Sequence, residues 1–273
     1  MNITPLATAF GAEISGVRLE QAGPDLAARL QGALLEHGLL VVRCQDLTPA
    51  QHVAASRLFG ELETFPAASG QLDRLPQVFR LASRAGEGHV DVGRYWHSDG
   101  SFRPYPTPIS IWHTIITPAQ GGDTLFTDLR QAHADLPAET RRRIAGLATF
   151  HRNGVRHPLV LPHPVTGDAS LYLNVGLTAG IAGMPSAEYS ALLHALDQHL
   201  SRAGAVYRHV WRPGDVVVAD NLRVAHRATP ISPDTRRVLD RTTVVAGTAY
   251  TRLACAAAGT TEAATARVAI HLL

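Results

Sequence analysis

The chain of 273 residues contains no lysine; all 25 of its basic residues are arginines, with no basic run longer than Arg141-Arg142-Arg143. Against 23 acidic residues this leaves a formal net charge of +2, so neither nucleic acid nor an anionic membrane surface is an expected partner. Cysteine is nearly absent. Cys44 and Cys255 stand far apart and outside any Cys-x-x-Cys pattern, which argues against a disulfide framework or a zinc finger and predicts buried or inert thiols. Missing too is any uninterrupted apolar run near the roughly 18 to 20 residues needed to cross a bilayer. The start, Met1-Asn2-Ile3-Thr4-Pro5, lacks a positive region followed by an apolar one. A cytoplasmic, reduced setting and a small-molecule partner are therefore the expectation, for a chain whose 45% hydrophobic content is enough to build a core.

In residues 24 to 38, Leu26, Leu30, Ala33 and Leu34 recur on one helical face and Gly38 supplies a C-cap, which predicts an amphipathic helix. Leu39 to Arg43 reads as a buried strand, and Thr48-Pro49 opens a second helix running toward Phe59. From about residue 76 the texture changes to short apolar runs broken by Gly and Pro: 78 to 81, 109 to 114, 124 to 127, 171 to 173 and 216 to 219. Short strands so spaced predict a β-sandwich or jelly-roll core, interrupted by helices over 129 to 147 and 186 to 203. No fixed-period repeat or low-complexity linker divides the chain, so residues 1–273 are expected to form a single domain, with a loosely ordered tail over 256–273.

The chemistry concentrates in Trp96-His97-Ser98-Asp99-Gly100 and, far downstream, His226. On a strand, a His-x-Asp pair places both side chains on one face, because side chains alternate with a period of two. Two histidines and one carboxylate cover one face of an octahedral metal and leave three positions open, the arrangement that oxygen-activating Fe(II) sites require. An arginine-rich strand, Arg236, Arg237 and Arg241, lies close behind the third ligand and offers a cationic anchor for an acidic co-substrate. His113, His133, His151, His157, His163, His194, His199 and His209 share no ligand spacing with the triad and read as surface or hydrogen-bonded side chains. Trp96, Phe102 and Trp112 read as core aromatics, the first two also placed to line a pocket.

These segments, taken with Ile3 to Leu6, Gly11 to Val17, Phe59-Gly60-Glu61-Leu62, Gly121-Gly122-Asp123-Thr124, Pro213-Gly214-Asp215 to Asp220-Asn221, and His226-Arg227-Ala228-Thr229, resemble the TauD/TfdA family of Fe(II)/2-oxoglutarate dioxygenases over nearly the whole chain. The resemblance implies a mixed α/β fold with a mainly β core, a double-stranded β-helix (jelly-roll, cupin-like) flanked by helices. It implies His97, Asp99 and His226 as iron ligands, Thr124 and Arg237 on the distal carboxylate of 2-oxoglutarate, and Arg241 near an anionic substrate. The implied reaction consumes O2 and 2-oxoglutarate, releases succinate and CO2, and oxidises a substrate C–H bond, with hydroxylation the expected outcome and desaturation, cyclisation or cleavage after hydroxylation left open. With Asp99 present, the position that related halogenases leave for halide is filled.

By family position the substrate pocket draws on the segment from about Phe65 to Leu72 and on Val92, Tyr95, Asn153 and Leu177. Where the taurine enzymes place an Asn shortly before the His-x-Asp motif this chain has Gly93, which points away from taurine and toward another small organic acid. Arg241 stays open between a substrate contact, a second 2-oxoglutarate contact and an ion-pair partner. Alternatives at this level are the same chemistry on a carrier-tethered substrate, a non-catalytic metal- or ligand-binding sensor, and a zinc hydrolase. A homo-oligomer, dimer or tetramer, is compatible with the family, and the sequence does not choose between them.

Overall fold

The computed structural model describes residues 1–66, 71–72, 74–202, 204–232 and 234–245. The predicted C-terminal tail, Cys255 and the middle of the predicted pocket segment, residues 67–70, lie outside these.

The largest sheet has eight strands. In spatial order they are β1 (Asn2–Pro5), β2 (Ala12–Ser15), β3 (Leu39–Val42), β14 (Val216–Asp220), β6 (Ile109–Ile116), β16 (Val238–Thr243), β5 (Leu75–Ala82) and β4 (Gln71–Leu72). All neighbouring pairs are antiparallel except β2 with β3. A three-stranded sheet places β7 (Thr124–Asp128) between β13 (Val206–His209) and β15 (Val224–Ala228). Smaller sheets join β12 (Thr178–Ile181), β8 (Ala148–His151) and β9 (Arg156–Pro158), and β10 (Val160–Pro162) with β11 (Ala169–Leu171).

Alternation along the central strands creates the layers. On β3 and β14, Leu40, Val42, Val216 and Val218 face one way and pack against Leu30, Ala33 and Leu34 of helix α1 (Pro24–His37). Leu39, Val41, Val217 and Ala219 face the other way and meet Phe126 and Val224 of the three-stranded sheet, with Trp112 between. A third apolar cluster covers the outer side of that small sheet with α3 (Leu129–Ala134) and α5 (Ser186–Leu200). The order is therefore helix, large sheet, small sheet, helix, and the interface between the sheets holds the site described below.

Local signals account for most element boundaries. α1 ends with its Gly38 C-cap in the left-handed region (φ 76°), where an added Cβ would stand 2.9 Å from the Arg223 guanidinium. Helix α2 (Pro49–Ser56) starts with a capping box, Thr48 accepting from the Gln51 N–H while the Gln51 side chain accepts from Thr48. The helix expected over 129 to 147 is two helices, α3 and α4 (Ala138–Ile144). Pro137 separates them, because its ring disfavours helical backbone at the preceding residue and it has no N–H to continue the ladder. α5 stops at Leu200, three residues short of the expectation, and Ser201 accepts from the Trp96 indole instead (2.8 Å). Cys44 is exposed with φ 57°, so of the expected buried or inert thiols it is not the buried kind; it sits in the turn that leaves β3. Among the described residues no helix is long and apolar enough to cross a membrane.

Arg223 ties the layers together. It donates to the Leu35 and Glu36 carbonyls at the end of α1 and to Asp128 Oδ2 (3.0 and 3.1 Å), while Asp128 Oδ1 caps α3 through the Arg130 and Gln131 N–H groups.

Two buried histidines away from the site make stability pH-dependent. Burial, with His113 stacked beside it, pushes His52 down to about 3; burial and His151 push His157 down to about 4. Both stay neutral in the folded chain and protonate near the ordinary value of about 6.5 when unfolded. Their folded values are depressed, so their contribution is complete above about pH 6.5 and is lost progressively as pH falls below it. Urea denaturation should give a midpoint that declines between about pH 7 and pH 5, before carboxylates titrate; a midpoint that rises over this range would contradict the assignment.

Candidate metal centre and its two cavities

The first two ligand candidates were expected on a regular strand and lie instead on a loop that is bridged to β15 at His97 with His226, the Ala228 N–H donating to the Gly93 carbonyl (2.7 Å) on one side of the bridge. The bridge is complete: the His97 N–H donates to the His226 carbonyl (3.1 Å) and the His226 N–H to the His97 carbonyl (2.8 Å). It sets the two imidazoles side by side with ring centroids 4.2 Å apart. Asp99, in the turn that follows, points to the same side. Its Oδ1 lies 3.9 Å from His97 Nε2 and its Oδ2 3.8 Å from His226 Nε2, and one ligand atom from each residue falls within 4.8 Å of the others.

Each ligand is oriented by something behind it. His97 Nδ1 bonds the Tyr95 carbonyl (2.9 Å), which makes Nδ1 the protonated nitrogen and leaves Nε2 with a free lone pair. Burial pushes the His226 imidazole down to about 3, with His97 adding to the effect, and burial lowers His97 as well. Both rings are therefore neutral and able to ligate. For Asp99 burial acts upward, but the Arg241 guanidinium, the two histidines and the Ser110 hydroxyl outweigh it and bring the carboxyl down to about 2. Ser110 Oγ donates to Asp99 Oδ2 (2.7 Å) and accepts from the Asn221 amide (2.8 Å), both fully buried. Arg241 Nη1 donates to Oδ1 (2.5 Å) and lies over the Phe79 ring. Two neutral imidazoles and one anionic carboxylate, with open space in front of them, form a donor set suited to Fe(II).

Gly93 has φ 73°, and a Cβ there would stand 2.7 Å from His97 Cε1. A side chain at this position could not be accommodated without moving a ligand. Likewise a Cβ on Gly176 would collide with the Tyr95 ring at 2.3 Å.

Two cavities meet at the triad. One, of about 240 Å³, is bounded by His97, His226, Trp112, Thr124, Arg237 and Arg241. The other, of about 170 Å³, is bounded by His97, Asp99, Arg241, Tyr95 and Leu177 and by Phe65, Phe79 and Phe102. In the first, Thr124 Oγ1 accepts from the Trp211 indole (3.0 Å), which frees its own proton to donate into the cavity. Gly121 and Gly122, both at positive φ, make the tight turn before it, and a Cβ on Gly122 would meet Arg237 Cδ at 2.9 Å. The Arg237 guanidinium is buried, forms no salt bridge among the described residues and has an Nε without a partner. Burial lowers it to about 10, opposed by Asp123, so it remains a cation. Arg237 precedes β16, where the sequence predicted it within a strand; Arg241 is on that strand.

Of the predicted substrate residues, Tyr95 and Leu177 line the second cavity with Arg241, and Val92 lies at the junction of both. Asn153 does not line either; it is exposed and donates to the Phe102 carbonyl (2.8 Å), behind the wall. Arg236 faces away, paired with Glu87. Trp96 is wholly buried core. Sequence reasoning missed Ser110 and Asn221. Asn221 stood inside a quoted motif without a role, and the available signal for Ser110 was a hydroxyl at an inward position of an apolar strand.

The chain matches the family model for taurine catabolism dioxygenase TauD, TfdA family, over residues 2–243. It is 30% identical to an alpha-ketoglutarate-dependent 2,4-dichlorophenoxyacetate dioxygenase of Cupriavidus pinatubonensis, an alignment covering 88% of this chain and 96% of that protein. A crystal structure of a taurine dioxygenase from Burkholderia xenovorans superposes with a TM-score of 0.81 at 34% identity, covering 89% of each chain. One of AAD-2 in complex with Mn(II) and N-oxalylglycine superposes with a TM-score of 0.80 at 29% identity, covering 89% of this chain and 96% of that one.

Outer contacts of this kind tune metal affinity by about 10- to 100-fold. Ser110→Ala should therefore weaken Fe(II) binding by about tenfold or more, measured by anaerobic titration, with an unchanged far-ultraviolet circular dichroism spectrum; unaltered affinity would remove Ser110 from the support of Asp99.

Proposed function

The chain belongs to the TauD, TfdA family of 2-oxoglutarate-dependent dioxygenases, and from that premise we propose that it hydroxylates a C–H bond of a small, anionic, predominantly apolar substrate. The two packed sheets are consistent with the double-stranded β-helix expected of the family, and a single domain over residues 1–273 stays part of the proposal. His97, Asp99 and His226 would hold Fe(II), and 2-oxoglutarate would reach from the metal to Arg237 and Thr124. Iron held by these residues would activate O2, the oxidant, with 2-oxoglutarate supplying two of the four electrons that O2 takes up. Overall, substrate, O2 and 2-oxoglutarate yield hydroxylated substrate, succinate and CO2, one oxygen atom entering the new C–OH and the other succinate.

The observation that carries this reading is the Arg237 guanidinium, across a cavity from the two histidines, with a buried Nε that has no partner and no salt bridge among the described residues. A guanidinium so placed costs free energy unless an anion joins it, and it matches a carboxylate with two parallel N–H donors. Thr124 adds a hydroxyl donor to the same carboxylate. A zinc hydrolase has no use for this group, and a sensor has no use for a second cavity opening on the same metal face.

Within the second cavity the chain's residues select and orient. Phe65, Phe79, Tyr95 and Phe102 give apolar walls that favour a flat or aliphatic body and keep water from the metal face. Arg241, between the cavities, would draw the substrate's anionic group toward the triad while keeping its bond to Asp99. The phenoxyacetate named for the Cupriavidus relative has this chemistry, an aromatic body with one carboxylate, whereas Gly93 disfavours taurine.

The test is a screen of small carboxylates for substrate-dependent succinate release with matching O2 uptake. Phenoxyacetates and similar aryl carboxylates should be turned over; release of succinate that no carboxylate accelerates would contradict the substrate class. Arg237→Met should raise the KM for 2-oxoglutarate by about 30-fold or more while leaving Fe(II) affinity within about twofold; an unchanged KM would remove Arg237 from the co-substrate site.

A further inference from the structure

The second cavity contains a polar cluster at its far end that the iron chemistry does not use. β16 supplies the scale: Arg241 and Thr243 face the cavity, while Asp240 and Thr242 on the opposite face bond Arg80 and Ser56. Two residues of strand advance about 7 Å. One such step beyond Arg241, Thr243 Oγ1 donates to Glu63 Oε2 (2.6 Å) and the Glu63 N–H donates to the Thr243 carbonyl (2.9 Å). Glu63 Oε1 accepts from Thr107 Oγ1 (3.3 Å) and pairs with Arg103 Nη1 (2.9 Å). Glu63, Thr107, Thr243 and Arg103 all line the cavity.

Both oxygens of Glu63 are thus occupied, and its charge is cancelled by Arg103. Arg103 is not saturated. Its side chain is three-quarters buried (25% exposed), and its Nε is buried without a partner among the described residues. A guanidinium has five N–H donors in one plane, and only one of its nitrogens is engaged by Glu63. The Phe102 ring, which lines the same wall, supports it at 5.8 Å. A fixed donor left unmatched in a cavity discriminates strongly, because a substrate without the matching acceptor leaves it unpaired in a desolvated place.

We propose that Arg103, held in place by Glu63, is a specificity-determining residue. It donates to an uncharged acceptor oxygen, such as a ketone or amide carbonyl, at the far end of a substrate whose anionic end lies at Arg241, the two ends separated by about one aromatic ring. The acceptor is uncharged because Glu63 already balances Arg103, so a second anion would face the Glu63 carboxylate, whereas at Arg241 the paired Asp99 charge would be spent on Fe(II). This inference rests on the reading that the second cavity holds the substrate of the iron centre.

The test compares three probes that share a phenoxyacetate body and differ only in the para group: acetyl, isopropyl and carboxylate. Binding is measured by calorimetry on the anaerobic protein with Fe(II) and 2-oxoglutarate, and again on the metal-free protein. The acetyl probe should bind about tenfold more tightly than the isopropyl probe, the effect of one hydrogen bond from a charged donor. It should also bind more tightly than the carboxylate probe, and Arg103→Met should erase its advantage over isopropyl. Because Arg103→Met leaves Glu63 buried and unpaired, the double variant E63Q/R103M makes the same comparison without a stranded charge. The proposal is overturned if wild type binds the isopropyl or carboxylate probe as tightly as the acetyl probe, if none binds, or if the preference survives in either variant. A wild type that shows the preference but no visible iron–2-oxoglutarate band would contradict the iron reading and leave the role of Arg103 standing.

Discussion

The site depends on the seam of hydrogen bonds that joins one loop to the edge of a three-stranded sheet. The antiparallel bridge between His97 and His226, flanked by the Ala228 N–H donating to the Gly93 carbonyl (2.7 Å) and the Ser98 hydroxyl donating to the Val224 carbonyl (3.4 Å), brings residues 129 positions apart to one face. Because β15 is itself in register with β7, and β7 packs through Phe126 onto Trp112 of the large sheet, the bridge transmits the geometry of both sheets to the ligands. Asp99 follows two residues after His97 and is caught from the large sheet by Ser110 and Arg241. The triad is thus a junction: two ligands are set by one sheet and the third is held by the other.

β16 gives the junction its direction. Just before it, Arg237 reaches into the first cavity; Arg241 lies where the cavities meet; Thr243 marks the far end of the second. One strand and the residue just before it would thereby set out anchors for co-substrate, reactive end and distal end in order, while the other face of the strand is tied down by the Asp240–Arg80 pair. The fixed rise of a strand makes these separations hard to vary without changing register, so selectivity is free to change only through the side chains on the walls.

Much of this was legible in the sequence, for reasons that differ by residue. α1, β3 and β14 follow from periodicity and from Gly38, since local pattern and tertiary burial agree there. That His97, Asp99 and His226 would come together was readable because few residue types ligate metals and their order along the chain is distinctive. Arg237 and Thr124 are visible through the motifs around them, and the Gly121-Gly122 turn behaves as its composition predicts. What could not be read is contact across sequence distance. That the His-x-Asp segment is a bridged loop and not a strand depends on a partner 129 residues away. Ser110, Asn221, Glu63 and Arg103 are ordinary residue types whose roles appear only once two sheets are packed. Asn153 was placed in the pocket by analogy with family position, but its side chain is spent on the Phe102 carbonyl.

The most direct measurement is an anaerobic titration of the metal-free protein with Fe(II) and then 2-oxoglutarate, followed in the visible region. A weak charge-transfer band that requires both additions, and that His97→Ala abolishes together with tight metal binding, is the predicted result. A folded wild-type protein that binds Fe(II) yet develops no band when 2-oxoglutarate is added would contradict the assignment of these residues to an iron centre that 2-oxoglutarate chelates.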